Sequence, residues 1–91
     1  MIKSFRSKGL NDLFDTGKSG KIGADLVKRA LVRLDALHHA ESLRDLDVPG
    51  FQTHPLKGFN PTRYSIHVNG PWCITFEWSE GAKLVDLEQY H

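Results

Sequence analysis

The stretch that decides the fold runs Tyr64-Ser65-Ile66-His67-Val68-Asn69-Gly70-Pro71-Trp72-Cys73-Ile74-Thr75-Phe76-Glu77-Trp78. Apolar residues recur at every second position: Tyr64, Ile66 and Val68 before Asn69-Gly70, then Trp72, Ile74, Phe76 and Trp78 after it. Successive side chains of a strand point to opposite faces, so this period of two predicts a pair of antiparallel strands, each burying one face. Asn-Gly is a hairpin signal. A strict two-residue loop there would set Ile66 opposite Cys73, an apolar position against a polar one. The pairing therefore requires a three-residue loop or a bulge.

Working outward, Ser79-Glu80-Gly81-Ala82 reads as a turn and Lys83 to Leu87 as a last strand. Val85 and Leu87 continue the buried face, while Asp86, Glu88 and Tyr90 point to the other. Upstream, Val48-Pro49-Gly50 is a turn, and Glu41 to Leu46 has room for one helical turn before it. Further back, Leu26/Val27, Ala30/Leu31, Leu34 and Leu37 form the stripe of an amphipathic helix, with Lys28, Arg29, Arg33 and Asp35 off the stripe. Leu10, Leu13 and Phe14 keep helical spacing, and Ile2 to Phe5 alternate as a short strand. The order predicts a single α+β domain over residues 1–91, with an N-terminal strand and two helices packed on one face of a small antiparallel sheet.

The other face is then left open. It should display Ser65, His67, Cys73, Thr75, Glu77, Asp86, Glu88 and Tyr90, joined by His54 and Lys57 from the segment before the hairpin. A sheet needs one polar face simply to be wetted. Histidine, tyrosine and lysine together, however, can move protons and stabilise a phosphate.

Composition limits the rest. Hydrophobic residues make up 40% and charged residues 25% of the 91, which suits one ordinary core and leaves no length for a second domain. No apolar run approaches the ~20 residues of a membrane span, and the opening Met-Ile-Lys-Ser-Phe-Arg lacks the apolar core of a signal peptide, so a cytoplasmic address without membrane contact is expected. A lone Cys73 cannot form an internal disulfide. His38 and His39 stand in the last turn of the main helix, where histidine suits the exposed carbonyls. Neighbours on a helix diverge and no paired Cys or His spacing accompanies them, so neither a metal nor a cofactor is expected. Net charge is only +1, a weak argument against nucleic acid. Its distribution says more, since residues 1–33 carry eight Lys/Arg against three Asp/Glu. That block, with Lys28, Arg29 and Arg33, is either a solvated helix face or a phosphate-binding one.

Five segments are more specific: Met1-Ile2-Lys3-Ser4-Phe5, His54-Pro55-Leu56-Lys57-Gly58, Tyr64 to Asn69, Trp72 to Phe76, and the terminal Tyr90-His91. In order and spacing, along nearly the whole chain, they resemble the HigB branch of the RelE toxin family. The resemblance implies a RelE-like fold and a type II toxin that cleaves mRNA in the ribosomal A site. It also implies a HigA-type antitoxin as partner, and contact with operator DNA only through the antitoxin complex. The implied reaction is attack of a ribose 2′-hydroxyl on the adjacent phosphate. Such a reaction needs a base, positive charge at the phosphate and an acid for the leaving oxygen. Carried over by position, His54 transfers the proton, Lys57 stabilises the phosphate, and Tyr90 and His91 complete the catalytic set.

The sequence departs from the family pattern at the same place. Cys73 stands where many relatives have an arginine, and a thiol offers neither the permanent charge nor the forked donors of a guanidinium. Gln89 replaces a common aspartate, and His67 stands where arginine is frequent. Either Lys57 and Arg63 supply the missing charge, with His67 as a further substrate-binding group, or the chain is a weakened or inactive relative that binds its antitoxin and assists repression without cleaving RNA.

Overall fold

The computed structural model describes residues 1–90. Two α-helices, α1 (Lys8–Thr16) and α2 (Ala24–His39), are followed by a 3-10 turn (Leu43–Leu46). Four strands then follow among the described residues: β1 (His54–Leu56), β2 (Arg63–Asn69), β3 (Trp72–Trp78) and β4 (Ala82–Gln89). The strands form one antiparallel sheet in the order β1-β2-β3-β4. This is the α+β arrangement that the sequence implies. No helix among the described residues is long and apolar enough to cross a membrane.

Each helix starts and stops for a local reason. The Ser7 hydroxyl accepts from the Leu10 N–H to cap α1, and Gly17, at φ 77°, closes it with its own N–H on the Leu13 carbonyl. Along α2 the predicted stripe is the buried one, since Leu26, Ala30, Leu34 and Leu37 all lie in the core. They meet Ile66, Val68, Ile74, Phe76 and Val85 of the sheet, with Leu10 and Leu13 from α1. Each of these leucine, isoleucine, valine and phenylalanine side chains contributes about 1.5–3 kcal/mol on full burial, which makes this layer the main source of stability.

The hairpin solves its register problem with a bulge. Ile66 pairs with Ile74 and His67 with Cys73, but Asn69 pairs with Trp72, so β2 holds one extra residue at Val68. Apolar positions therefore face apolar positions across the pair, and both Ile66 and Val68 remain buried. A second bulge, in β4, falls between the pairs Glu77↔Lys83 and Thr75↔Asp86, where Leu84 takes φ 49°.

The expected N-terminal strand takes the form of two parallel bridges, Ile2↔Ala82 and Phe5↔Val85, beside β4. The bulge at Leu84 interrupts a continuous ladder, and the Ser4 hydroxyl accepts the Leu84 N–H instead. Gly81 permits this approach, because a β-carbon there would stand 2.6 Å from the Met1 carbonyl oxygen. His38 differs from its sequence reading. It does not bond the helix carbonyls but accepts the Ile2 N–H at Nδ1 (3.2 Å) and packs on Phe14, while His39 bonds the Asp35 carbonyl at 2.9 Å.

Candidate active site

On the face away from the helices lies a cleft of about 400 Å³, lined by strand side chains and by Gly70 of the hairpin turn. His54, His67, Cys73 and Tyr90 line it together, with Gln52, Leu56 and Ser65 around them. Alternation explains the convergence. His54 pairs with Ser65 across β1 and β2, His67 with Cys73 across β2 and β3, and Cys73 with Glu88 across β3 and β4, so every partner projects to the same side.

Each histidine is fixed at one ring nitrogen. Nδ1 of His54 lies 2.7 Å from the Gln52 carbonyl oxygen, and a carbonyl can only accept, so Nδ1 carries the hydrogen. In the neutral ring Nε2 is left with a free lone pair. Gln52 itself sits in the left-handed region at φ 51°, an unusual conformation for a non-glycine residue, and this turns its carbonyl toward the ring. Nε2 of His67 donates likewise to the Gly70 carbonyl at 3.1 Å. Tyr90 is held at the backbone, where its N–H donates to the Pro71 carbonyl at 2.6 Å. Its hydroxyl donates to Glu88 Oε2 at 3.4 Å. Partial burial, and then the neighbouring Glu88 carboxylate, raise the Tyr90 phenol above its ordinary pKa.

The face is less open than alternation suggests. Ser65 is 1% and Thr75 0% exposed, and Cys73 reaches the cleft with 7% exposure. Arg63 accounts for the covering of Thr75. Its side chain runs from β2 across β3, giving Nη2 to the Thr75 hydroxyl (3.1 Å) and to the Leu84 carbonyl on β4 (2.9 Å), with Nη1 3.6 Å from Glu77 Oε2. At 3% exposure the guanidinium is turned to the protein's own groups, and Arg63, expected as a substrate-binding residue, does not line the cleft.

The remaining cations stand apart. Lys57 is exposed in the turn after β1 and does not line the cleft. On α2, Arg33 Nε donates to the His67 carbonyl (2.8 Å) and its guanidinium stacks over Phe51 at 4.8 Å. Arg29 reaches the Val68 carbonyl at 3.5 Å. Burial and the adjacent Arg29 lower the Arg33 pKa from its ordinary value. Lys28 is exposed. Among the described residues, the cleft lining thus contains no lysine or arginine. His91, the last expected catalytic residue, lies outside the described residues. Gln52 was not singled out by sequence, since nothing in its local pattern signals a carbonyl aimed at His54. Among the described residues no group of three or more His, Cys, Asp or Glu is gathered in a way that could hold a metal ion.

Comparison with known proteins agrees with this architecture. A family model described as RelE-like toxin of type II toxin-antitoxin system HigB matches residues 3–91. The endoribonuclease HigB of Proteus vulgaris is 39% identical to the chain over 92 residues, covering 100% of both sequences.

Proposed function

The chain belongs to the HigB-like family of RelE-like type II toxins, and from that premise we propose that it is an endoribonuclease that cuts mRNA in the ribosomal A site. A type II toxin has an antitoxin partner; the partner proposed here is of the HigA type, with operator DNA reached only through that complex. The observation that carries the reading is the state of His54. With Nδ1 committed to the Gln52 carbonyl, the free Nε2 is a base beside a cleft whose other polar groups include Tyr90 and His67. In the proposed reaction His54 accepts the ribose 2′-hydroxyl proton, the oxygen attacks the phosphate, and the 5′-oxygen leaves with a proton from Tyr90 or His91. The products are a 2′,3′-cyclic phosphate and a 5′-hydroxyl. Lys57, in the turn after β1, supplies charge to the bound phosphate, and α2 faces ribosomal RNA through Lys28.

The test is cleavage of an end-labelled mRNA on programmed ribosomes, with free RNA as control and product ends analysed. His54→Ala should reduce cleavage about 10²- to 10⁴-fold, as expected for loss of a general base, and move the melting temperature little because the side chain is exposed. Undiminished cleavage by His54→Ala removes it from the mechanism, and equal cleavage of free RNA removes the ribosome. One observation favours a second reading, a weakened relative that binds antitoxin without cutting RNA: among the described residues no permanent cation lines the cleft where a phosphate would gather charge. Growth arrest on expression without antitoxin separates the two.

A further inference from the structure

Beneath the cleft runs a chain of polar side chains, Arg63, Thr75 and Glu88, that the proposed chemistry does not use and that ends on Tyr90, which it does use. Arg63 Nη2 contacts the Thr75 hydroxyl at 3.1 Å, that hydroxyl contacts Glu88 Oε2 at 2.6 Å, and the Tyr90 hydroxyl contacts the same Oε2 at 3.4 Å. The direction of every bond follows from donor inventory. A guanidinium has no lone pair to offer, so Thr75 must accept from Arg63, and its single hydroxyl proton is then free only for Glu88. Glu88 Oε2 therefore accepts from Thr75, which leaves the Tyr90 hydroxyl as donor to the same oxygen. Arg63 and Thr75 are 3% and 0% exposed, so water does not compete for the bond between them, while the two bonds to Glu88 are partly buried.

We propose that Arg63, Thr75 and Glu88 form a one-way hydrogen-bond relay that positions the Tyr90 phenol over the cleft. Its relevance to catalysis rests on the reading of the cleft as the site of RNA cleavage. The relay solves a mechanical problem. Tyr90 stands beyond the end of β4, where strand termini fray, and its one backbone bond to Pro71 fixes the main chain but not the ring. Glu88, two residues earlier on the same face, reaches the hydroxyl. Thr75 holds Glu88, and Arg63, anchored by the Leu84 carbonyl, holds Thr75. The charged and titratable groups around the phenol are Glu88 from β4, Arg63 and His67 from β2, Cys73 from β3 and His54 from β1. Burial first, and then Glu88, push the phenol pKa up while Arg63 pulls it down, so the change in Tyr90 titration on substituting Glu88 or Thr75 reports on the contact between Tyr90 and Glu88.

The experiment uses the full chain carrying Tyr64→Phe, which leaves Tyr90 as the sole tyrosine. Its phenol is titrated by tyrosinate absorbance, with circular dichroism at each pH to follow the fold. Glu88→Gln, nearly isosteric, should lower the titration midpoint. Thr75→Val should lower it too by releasing Glu88, and Thr75→Ser, which keeps the hydroxyl, should restore it. On programmed ribosomes Thr75→Val should cut kcat about ten- to a hundredfold, the scale of a misplaced reacting group, with KM within about twofold, and Thr75→Ser should recover it. Folded Glu88→Gln and Thr75→Val proteins with the parent midpoint would overturn the relay. A shifted midpoint with undiminished kcat in Thr75→Val would overturn its positioning role while leaving RNA cleavage intact. A parent protein that cleaves nothing would instead sink the functional reading, and the titration alone then decides whether the relay exists.

Discussion

On the helix-covered face of the sheet, Ile66, Ile74, Phe76 and Val85 are buried against the leucines of α1 and α2. On the opposite face of the same strands, Arg63, Ser65 and Thr75 are buried as deeply, and they are polar. The first face is held by apolar area, which is non-directional and tolerates a change of shape at moderate cost. The second is held at Arg63 and Thr75 by named partners, where a lost partner strands the one left behind. The difference teaches that the fold and the site respond to different kinds of substitution.

The helix-covered face should show the largest loss. Phe76→Ala empties a fully buried aromatic position at the centre of β3. The expected cost is about 3–5 kcal/mol, and at about 4–8 °C per kcal/mol for a domain of this size the melting temperature should fall by tens of degrees. A melt within a few degrees of the parent would mean that the sheet can collapse around the gap.

Arg63→Met tests the polar face in the same currency. The variant leaves the Leu84 carbonyl and one side of Thr75 without their donor, at about 2–3 kcal/mol in total. The full cost of a broken buried ion pair is not expected, because Glu77 retains 20% exposure and can turn to water. A neutral result by chemical denaturation would mean that the guanidinium merely fills space.

How much of this was legible in the sequence follows from the same contrast. Alternation and helical spacing depend on nearest neighbours, so the α2 stripe, the hairpin and its need for an extra residue could be read from residues 24–39 and 64–78. Alternation also placed His67, Cys73 and Tyr90 on one face, where the cleft gathers them. Burial of Arg63 could not be read, since an arginine opening a strand looks solvated until its partners on β3 and β4 are known. Nor could strand β1, three residues around a proline, or the union of Ile2 with His38 across 36 positions. These depend on contacts distant in sequence.

A smaller effect is expected at Cys73, which faces His67 and Glu88 across its neighbouring strands and reaches the cleft. Cys73→Arg places a permanent charge where the lining has none. One ionic hydrogen bond to the phosphate is worth about 1.5–3 kcal/mol, but Glu88 stands opposite and will share the guanidinium. A rise in single-turnover cleavage of roughly tenfold is therefore expected, the lower end of what each 1.36 kcal/mol allows. A folded variant that cleaves no faster would show that Lys57 or His67 already supplies the charge.

The smallest effect separates two kinds of cation on α2. Lys28 is exposed, whereas Arg33 donates to the His67 carbonyl and stacks on Phe51, so the two differ in function although both belong to the basic block. Lys28→Glu should leave the melting temperature within the range of ordinary surface substitutions, about 0.5 kcal/mol. If Lys28 meets ribosomal phosphate, the same change weakens binding and makes the remainder less steeply dependent on salt, with a slope smaller by roughly one counterion. Arg33→Glu, by contrast, should lower stability first, because it removes a hydrogen bond to the β2 backbone and brings a carboxylate to the Phe51 ring. Binding measured across a salt series for both variants, with melts alongside, distinguishes a contact with RNA from a strut within the fold. An unchanged salt slope in Lys28→Glu would assign the exposed side of α2 to solvent and confine recognition to the cleft.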